Sequence, residues 1–228
     1  VWQASRAFGP RRNLGEHPIT NVVMMGMGEP LANYSQVLPA LNIMRDDFGF
    51  GFANKRVTVS TAGLVPYINQ LNEDADVSLA ISLHAPYDEL RNQLVPLNKK
   101  YNIKTLLDAC RNFVHDKKKS RITIEYTLID GMNDKPEHAH ALCKLLAHMP
   151  SKINLIPFNP FPGTQFKQSK PDAIERFKQI CMKQGYITTV RKTRGDDIAA
   201  ACGQLAGEFM DRTRRSATLK KVQLEVVA

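Results

Sequence analysis

The chain has 228 residues, 43% of them hydrophobic, so it holds enough apolar material for a sizeable core and for one or two domains. No apolar run reaches the roughly 18 residues of a membrane span, and the first residues lack the apolar stretch of a signal peptide, which argues against a membrane protein and against export. The formal net charge of +9 points first to nucleic acid as a partner, although a basic enzyme of small molecules would carry the same charge.

Strand-like and helix-like segments alternate along the chain. Six short segments are rich in β-branched residues and bounded by turn formers, and these are predicted to be strands: 20–25, 56–60, 77–83, 121–129, 152–156 and 186–190. Apolar periodicity predicts helices over 103–114, 134–149, 174–181 and 197–213. Such alternation is typical of βα units around a mostly parallel sheet in an α/β protein. The nearly continuous apolar strands predict burial of both faces of that sheet.

The loops that follow the strands carry small, hydroxyl, acidic and amide groups. After the first strand come Gly28 and Glu29, which suit an ammonium group, although a tight turn with a solvated glutamate would have the same residues. Ser60 ends the second strand, where its hydroxyl either binds a ligand or caps the next helix. Asn159 lies in a proline-rich loop after the fifth strand and either contacts a base or ribose or belongs to a rigid turn.

The third and fourth strands add polar groups of the same kind. Ser82, Leu83 and His84 end the third strand, and a histidine there is more often a structural hydrogen-bonding group than a ligand group. His84 has no partner at metal-ligand spacing, so no metal site is expected. Glu125 lies inside the fourth strand, where an inward carboxylate is costly unless it is paired. Together these groups predict a site for a polar small molecule at the carboxyl ends of the strands.

Five sequence strings carry a resemblance to a known family: MMGMGEPL, RVTVSTAG, AISLHAP, INLIPFNPFPG and VRKTRGDDIAAACGQLAG, in that order. The chain closely resembles the RlmN family of radical S-adenosylmethionine (SAM) RNA methyltransferases. The resemblance implies an α/β fold, a partial (β/α)6 barrel that lacks its first strand, over residues 1–190. It also implies a C-terminal segment over residues 191–228.

The resemblance assigns roles to the motifs. SAM would be bound by Gly28, Glu29, Ser60, Ser82, Leu83, His84 and Asn159, and Cys202 would carry a methyl group during turnover. One SAM would first methylate Cys202. A 4Fe–4S cluster would then reductively cleave a second SAM to a 5′-deoxyadenosyl radical. This radical would take hydrogen from the methyl group on Cys202, and the resulting carbon radical would add to C2 of adenine. Adenine C2 is not nucleophilic, and ordinary transfer from a sulfonium would fail.

The resemblance also implies the partners. The substrates would be an adenosine in the peptidyl-transferase region of 23S rRNA and adenosine 37 of tRNA. The electron donor would be a flavodoxin-type protein.

The four cysteines do not supply the cluster motif of this family, C-x3-C-x2-C, because no two of them have either spacing. Cys110, Cys143 and Cys181 fall on apolar helix faces and are predicted to be buried. Periodicity would place Cys202 in a core as well, so its role depends on the resemblance. The cysteines have neither disulfide-framework nor zinc-site spacing, and a cytoplasmic protein is expected. The missing motif and the missing initiator Met favour a fragment that is inactive alone.

Other functions stay open. A related methyltransferase that modifies C8 of the same ribosomal adenosine shares these motifs, and a basic RNA-binding module without catalysis would also lack cluster cysteines. An ordinary metabolic barrel enzyme explains the alternation but not the strings. The basic residues near the end would neutralise RNA phosphates or belong to a solvated helix; they are Arg191, Lys192, Arg194, Arg212, Arg214, Arg215, Lys220 and Lys221.

Overall fold

The computed structural model describes residues 1–8, 18–26, 28–116, 121–161 and 163–191. Several predictions fall outside these ranges: the helix over 197–213, the role of Cys202, and all of the C-terminal basic residues except Arg191. Within the described ranges, no helix is both long enough and apolar enough to cross a bilayer.

Six strands form one sheet, in the order in which they follow one another along the chain. Their bounds are β1 Val22–Met24, β2 Val57–Thr61, β3 Ser78–Ser82, β4 Ile122–Leu128, β5 Ser151–Pro157 and β6 Ile187–Val190. Each neighbouring pair is parallel. All six predicted strands are found, and the predicted parallel α/β fold is confirmed.

Helices occupy the intervals between the strands. Their bounds are α1 Trp2–Phe8, α2 Tyr34–Arg45, α3 Val65–Asp74, α4 Asp88–Leu94, α5 Ile103–Asp116, α6 Pro136–Leu145 and α7 Pro171–Lys183. The last three are the predicted helices, although α6 ends at Leu145 and Met149 is buried in the turn beyond it. The other helices have no predicted counterpart, since α2 contains Pro39 and α4 is only seven residues long, which weakens the periodic pattern.

One face of the sheet packs against the helices. Parallel strands that follow one another in a single direction, through right-handed crossovers, carry all their helices on the same face. Val59, Ile81, Ile124 and Leu155 belong to a single buried cluster. The helices contribute Leu41, Ile68, Leu106, Phe113, Leu142 and Phe177 to that cluster. The buried cluster of the described residues therefore lies between the sheet and its helices.

The other face of the sheet is polar, so the expectation of nearly continuous apolar strands is wrong, although Ser60, Ala80 and Glu125 on this face are buried. The strands alternate, as in VTVST of β2, SLAIS of β3 and ITIEYTL of β4, and alternate residues point to opposite faces. The register pairs Ser82 with Glu125, Glu125 with Asn154, and Asn154 with Thr189. Hydroxyl, carboxylate and amide groups thus form a row across the inner face, which positions the site described next.

Candidate functional site

Glu29 joins the loop after β1 to the loop after β2. Its Oε1 accepts a hydrogen bond from the backbone N–H of Leu31 over 3.1 Å, and its Oε2 accepts one from Ala62 N–H over 2.8 Å. The carboxylate is thereby fixed at the carboxyl edge of the sheet. Each oxygen keeps further acceptor capacity, so the same group can still receive a proton donor from a ligand.

Gly28 precedes Glu29 in a backbone conformation that favours glycine. Its φ is +81°, and Gly26, two residues earlier, has a φ of +134°. A side chain in either position would be strained even though neither would meet a neighbouring atom within 4 Å. The two glycines therefore allow the turn that carries Glu29 back over the sheet edge.

His84 is held at the end of β3 by contacts with the neighbouring strand. It has a left-handed φ of 60°, and its Nδ1 accepts a hydrogen bond from the backbone N–H of Thr127 over 3.0 Å. Burial, together with the charge of Arg91, lowers the pKa of His84 to about 4. The ring is neutral at physiological pH, and because Nδ1 is an acceptor, the remaining proton is on Nε2.

Arg91, a residue that the sequence analysis does not single out, organises the ends of β2 and β3. Its side chain is 1% exposed and donates to the carbonyls of Leu83 at 3.1 Å, Ser82 at 3.1 Å and Ala62 at 2.6 Å. It also donates to Oδ1 of Asn98 over 2.8 Å. Burial lowers the pKa of Arg91 to about 10, which leaves the guanidinium charged at neutral pH.

Arg91 has no distinguishing signal in the sequence. It lies on a short polar helix, where an arginine is ordinarily solvated. Its function as a clamp on three carbonyl groups follows only from the packing of α4 under the strand ends.

Asn133 links the ends of β3 and β4 through buried hydrogen bonds. It is 0% exposed, and its amide nitrogen donates to the carbonyls of His84 at 2.8 Å and Thr127 at 2.6 Å. Its Oδ1 accepts from Ile129 N–H over 2.8 Å. These bonds hold the loop after β4 against the left-handed peptide at His84.

Ser60 and Glu125 meet on the polar inner face. The Ser60 hydroxyl donates to Oε2 of Glu125 over 3.1 Å, and the Glu125 side chain is buried at 3% exposure. The backbone carbonyl of Glu125 accepts from the N–H groups of Leu83 and His84. Burial raises the pKa of Glu125, while Ser60, Asn154 and the charge of Arg191 lower it in part. The inward glutamate noted in the sequence is therefore only partly paired.

Asn159 follows β5 in a loop lined by aromatic rings. The backbone N–H of Phe158 donates to the carbonyl of Leu128 over 3.1 Å, which places the loop beside the end of β4. The Phe158 ring lies 6.1 Å from the rings of Phe161 and Phe166. Asn159 is half-buried there, on the same sheet edge as the other predicted site residues.

The structure thus gathers most of the predicted site residues at one edge of the sheet. Contacts tie Glu29 to the β2 loop, and Ser60 and the Leu83–His84 peptide groups to Glu125. Ser82 is half-buried and paired in register with Glu125, whereas Leu83 is fully buried, so it offers backbone rather than side chain. The arrangement offers both hydrogen-bond donors and hydrogen-bond acceptors, and it suits a small polar ligand.

Comparison with known proteins identifies the family. A model of the Radical SAM superfamily matches residues 12–143, which is more than half of the chain. The chain belongs to the radical SAM superfamily. The matched residues include β1, β2, β3 and β4, and with them the network from Glu29 to Glu125.

One curated relative of this radical SAM protein is the dual-specificity RNA methyltransferase RlmN of Alcanivorax borkumensis, which is 61% identical over 225 residues. The match covers 97% of this chain and 58% of the relative, so the chain spans less than two thirds of that protein's length. The resemblance to the RlmN family, noted from the five strings, is confirmed.

Solved structures agree with the fold. A radical SAM methyltransferase from Sphaerobacter thermophilus matches with a TM-score of 0.81 and 46% identity, over 89% of this chain and 58% of that one. A domain of a pyruvate-formate lyase-activating enzyme from Bacteroides vulgatus matches with a TM-score of 0.58 and 18% identity, over 75% of this chain and 99% of that one. The second likeness concerns the fold alone. The expected partial radical SAM barrel is confirmed.

Membership of the superfamily implies SAM and a 4Fe–4S cluster as its general cofactors. The polar face fits a polar ligand such as SAM, because the Glu29 carboxylate is fixed there and keeps acceptor capacity. The described residues do not fit the cluster. Cys110, Cys143 and Cys181 are buried among the outer helices, and no group of His, Cys, Asp and Glu in the described ranges could hold a metal ion.

Proposed function

We propose that this protein takes part in radical SAM methylation of C2 of adenosine in 23S rRNA and in tRNA. The observation that carries the proposal is the 61% identity to a dual-specificity RNA methyltransferase over 97% of the chain. The aligned region includes the strand-end network, since nearly the whole chain is aligned. We infer the substrates, the peptidyl-transferase region of 23S rRNA and adenosine 37 of tRNA, from this relationship.

SAM, when bound, supplies a methyl group and a source of a carbon-centred radical. We propose that Gly28 and Glu29 hold its amino group, because Glu29 is fixed by two backbone N–H groups and retains acceptor capacity. The Nε2–H of the neutral His84 ring is a donor for a polar atom of the ligand. We propose that SAM is also bound by Ser60, Ser82, the Leu83 backbone and Asn159.

The scaffold under these groups supports this assignment. Arg91 and Asn133 fix the peptide groups at the ends of β2, β3 and β4 before any ligand arrives. Groups that are already oriented bind a ligand without a further loss of conformational entropy. The buried outer core keeps water away from the helix side of the sheet.

We propose that Cys202 carries the methyl group and that residues 191–228 form the segment that delivers it, with residues 1–190 as the barrel core. The basic residues of this segment would neutralise RNA phosphates without reading sequence. The target adenine must leave its stack to reach a site at a sheet edge. A flavodoxin-type protein as electron donor and a cytoplasmic location belong to the same proposal. The described residues hold no group that could bind the iron–sulfur cluster.

The complete gene that encodes this chain provides the test. It is expressed in a bacterial strain that lacks its own adenine-C2 methyltransferase, and 23S rRNA and tRNA are digested and mapped by mass spectrometry. The proposal predicts C2-methyladenosine in both RNAs. Methylation at C8 would assign the protein to the related resistance-type enzymes, and unmodified RNA that still binds the protein would favour an RNA-binding module without catalysis.

A further inference from the structure

A cleft with basic side chains lies between the end of α5 and the turn that follows α6, at the amino ends of β4 and β5. We call it the basic cleft, and its volume is about 630 Å³. Arg121 precedes β4 and Pro150 precedes β5. Since β4 has seven residues, about 20 Å separate this cleft from the carboxyl ends of the strands. The basic cleft is therefore separate from the candidate SAM site.

Basic side chains reach the cleft from three separate segments. Arg111 and His115 belong to α5, Arg121 is the residue before β4, and His148 lies in the turn between α6 and β5. All four residues are exposed, and none of the described residues that line the cleft is acidic. Asp108 pairs with Arg111 over 2.8 Å and offsets part of its charge. Arg121 is therefore the principal cation among the described lining residues.

The floor of the basic cleft is apolar. Val114 and Met149 are buried there, and Pro150 completes the floor. The Pro150 carbonyl accepts a hydrogen bond from Ile122 N–H over 3.0 Å, which fixes the turn against the start of β4. The volume lies within the range of roughly 300–1,000 Å³ that ligand pockets have. A basic rim around an apolar floor suits a phosphate joined to a flat ring system, and a nucleotide presents both.

Helix stabilisation explains only part of this pattern. A basic residue in the last turn of a helix interacts favourably with the carbonyl groups there, and His115 has this location on α5. Arg121 lies outside any helix, and His148 lies three residues beyond the end of α6. The convergence of these two residues on the cleft therefore has no explanation in helix ends.

Arg111 also joins the basic cleft to a second cleft that leads to the carboxyl edge of the sheet. This second cleft, of about 350 Å³, is lined by Arg111 and by Pro86 and Tyr87 in the loop after β3. The two clefts form a path along α5 from one edge of the sheet to the other, which a chain of nucleotides can follow. Asp88 and Glu89 line the second cleft, so a phosphate contact is assigned to the basic cleft alone.

We propose that the basic cleft binds a nucleotide of the RNA substrate through its phosphate, at a point remote from the adenine that is modified. This inference rests on the proposed function, which supplies RNA as the substrate. The planar guanidinium of Arg121 has the donors that suit phosphate oxygens, and the imidazole N–H of His148 adds another. Contacts of this kind position the RNA without reading its sequence.

RNA binding by variants of the product of the complete gene tests the contact. Arg121→Gln removes the cation, and Arg176→Gln, at an exposed position of α7 outside the cleft, is the matched control. Titration with a fluorescent tRNA transcript at several salt concentrations gives Kd for each variant. Arg121→Gln should weaken binding by roughly fivefold at low salt and reduce the slope of log Kd against log salt by about 1. Arg176→Gln should change neither quantity.

A second variant and a cross-linking experiment locate the contact. His148→Asn, which tolerates the left-handed φ of 65° at this position, should weaken binding by a smaller factor. A tRNA that contains 4-thiouridine is irradiated with the protein, and tryptic peptides are mapped by mass spectrometry. An adduct is expected on the peptide 145–152, which contains His148 and Met149. Adenosine 5′-monophosphate is titrated in parallel as a free nucleotide, and unfolding curves verify that each variant is folded.

The outcomes separate this inference from the proposed function. If the unaltered protein binds no RNA, both fail. If it methylates RNA but Arg121→Gln binds RNA equally well and no adduct maps to 145–152, the inference alone is wrong. If binding of adenosine 5′-monophosphate depends on Arg121 and binding of RNA does not, the cleft takes a free nucleotide and the RNA assignment is overturned. If RNA binds through Arg121 but is never methylated, the proposed function fails and the RNA-binding cleft stands.

Discussion

The backbone N–H of Thr127 donates a hydrogen bond to Nδ1 of His84 across the junction of β3 and β4, over 3.0 Å. This bond joins two adjacent strand ends and fixes the tautomer of the imidazole. The His84 backbone is left-handed at this junction, with a φ of 60°. The neutral, oriented ring is therefore a product of the fold rather than of the local sequence.

The state of His84 predicts a dependence of stability on pH. The pKa of His84 is lowered from 6.5 to about 4, so between these values the unfolded chain binds a proton that the folded chain does not. Stability should then fall as the pH drops from about 6.5 to about 4, by up to about 3 kcal/mol for this group. The free energy of unfolding in urea, measured at pH 7 and pH 5, tests this.

A histidine variant isolates the effect. Glu125 has a raised pKa and acts in the opposite sense, because its folded form binds a proton more readily as the pH falls. In His84→Asn, which tolerates a left-handed φ, the fall in stability between pH 7 and pH 5 should be smaller than in the unaltered chain. His140→Asn, at an exposed position of α6, should keep the original slope. An unchanged slope in His84→Asn would refute the assignment.

Arg91→Met tests the clamp on the strand ends. The variant leaves the carbonyls of Ala62, Ser82 and Leu83 without their donor, and we expect a loss of stability of about 3 kcal/mol or more. Urea denaturation measures the change. The matched control is Arg111→Met, which breaks an exposed ion pair with Asp108 and should cost less than about 1 kcal/mol. Equal effects of the two variants would show that Arg91 is no clamp.

Asn133→Ala tests the link between β3 and β4. It removes a buried amide that donates to His84 and Thr127 carbonyls and accepts from Ile129, and we expect a loss of about 2–4 kcal/mol. Hydrogen exchange should accelerate most at the Ile129 amide, which loses its acceptor. Asn21→Ala is the control, because the Asn21 side chain is exposed and bonds only to its neighbour Thr20 among the contacts described. Protection of Ile129 that survives the Asn133 change would contradict this role.

Cys202→Ala tests the proposed chemistry in the product of the complete gene. Methylation of RNA at C2 should be lost, while reductive cleavage of SAM remains possible. Cys181→Ala is the cysteine control: Cys181 is buried in the outer core, so this change should lower stability by about 1 kcal/mol or more and leave methylation intact. Normal methylation by Cys202→Ala would rule out a methyl carrier at this position.

The strand pattern was readable from the sequence, and so was the sheet edge at which the candidate site residues lie. Each strand is short, β-branched and bounded by turn residues, and such local signals do not depend on distant contacts. The alternation of valine with threonine and serine in VTVST also marks a polar face, and it is the signal from which that face can be predicted. The helices α2, α3 and α4 were less accessible, because a proline, short length or polar composition blurs their periodicity.

The sequence by itself determined the positions of the strands along the chain, the family resemblance and the identity of the polar residues at the strand ends. These features depend on residue type and spacing along the chain. The tertiary structure alone decided that Arg91 holds three carbonyls, that His84 is neutral, and that the Ser60 hydroxyl donates to the buried Glu125 carboxylate. Burial and hydrogen-bond partners across strands set these properties, and residues up to 65 positions apart, such as Ser60 and Glu125, meet only when the sheet forms.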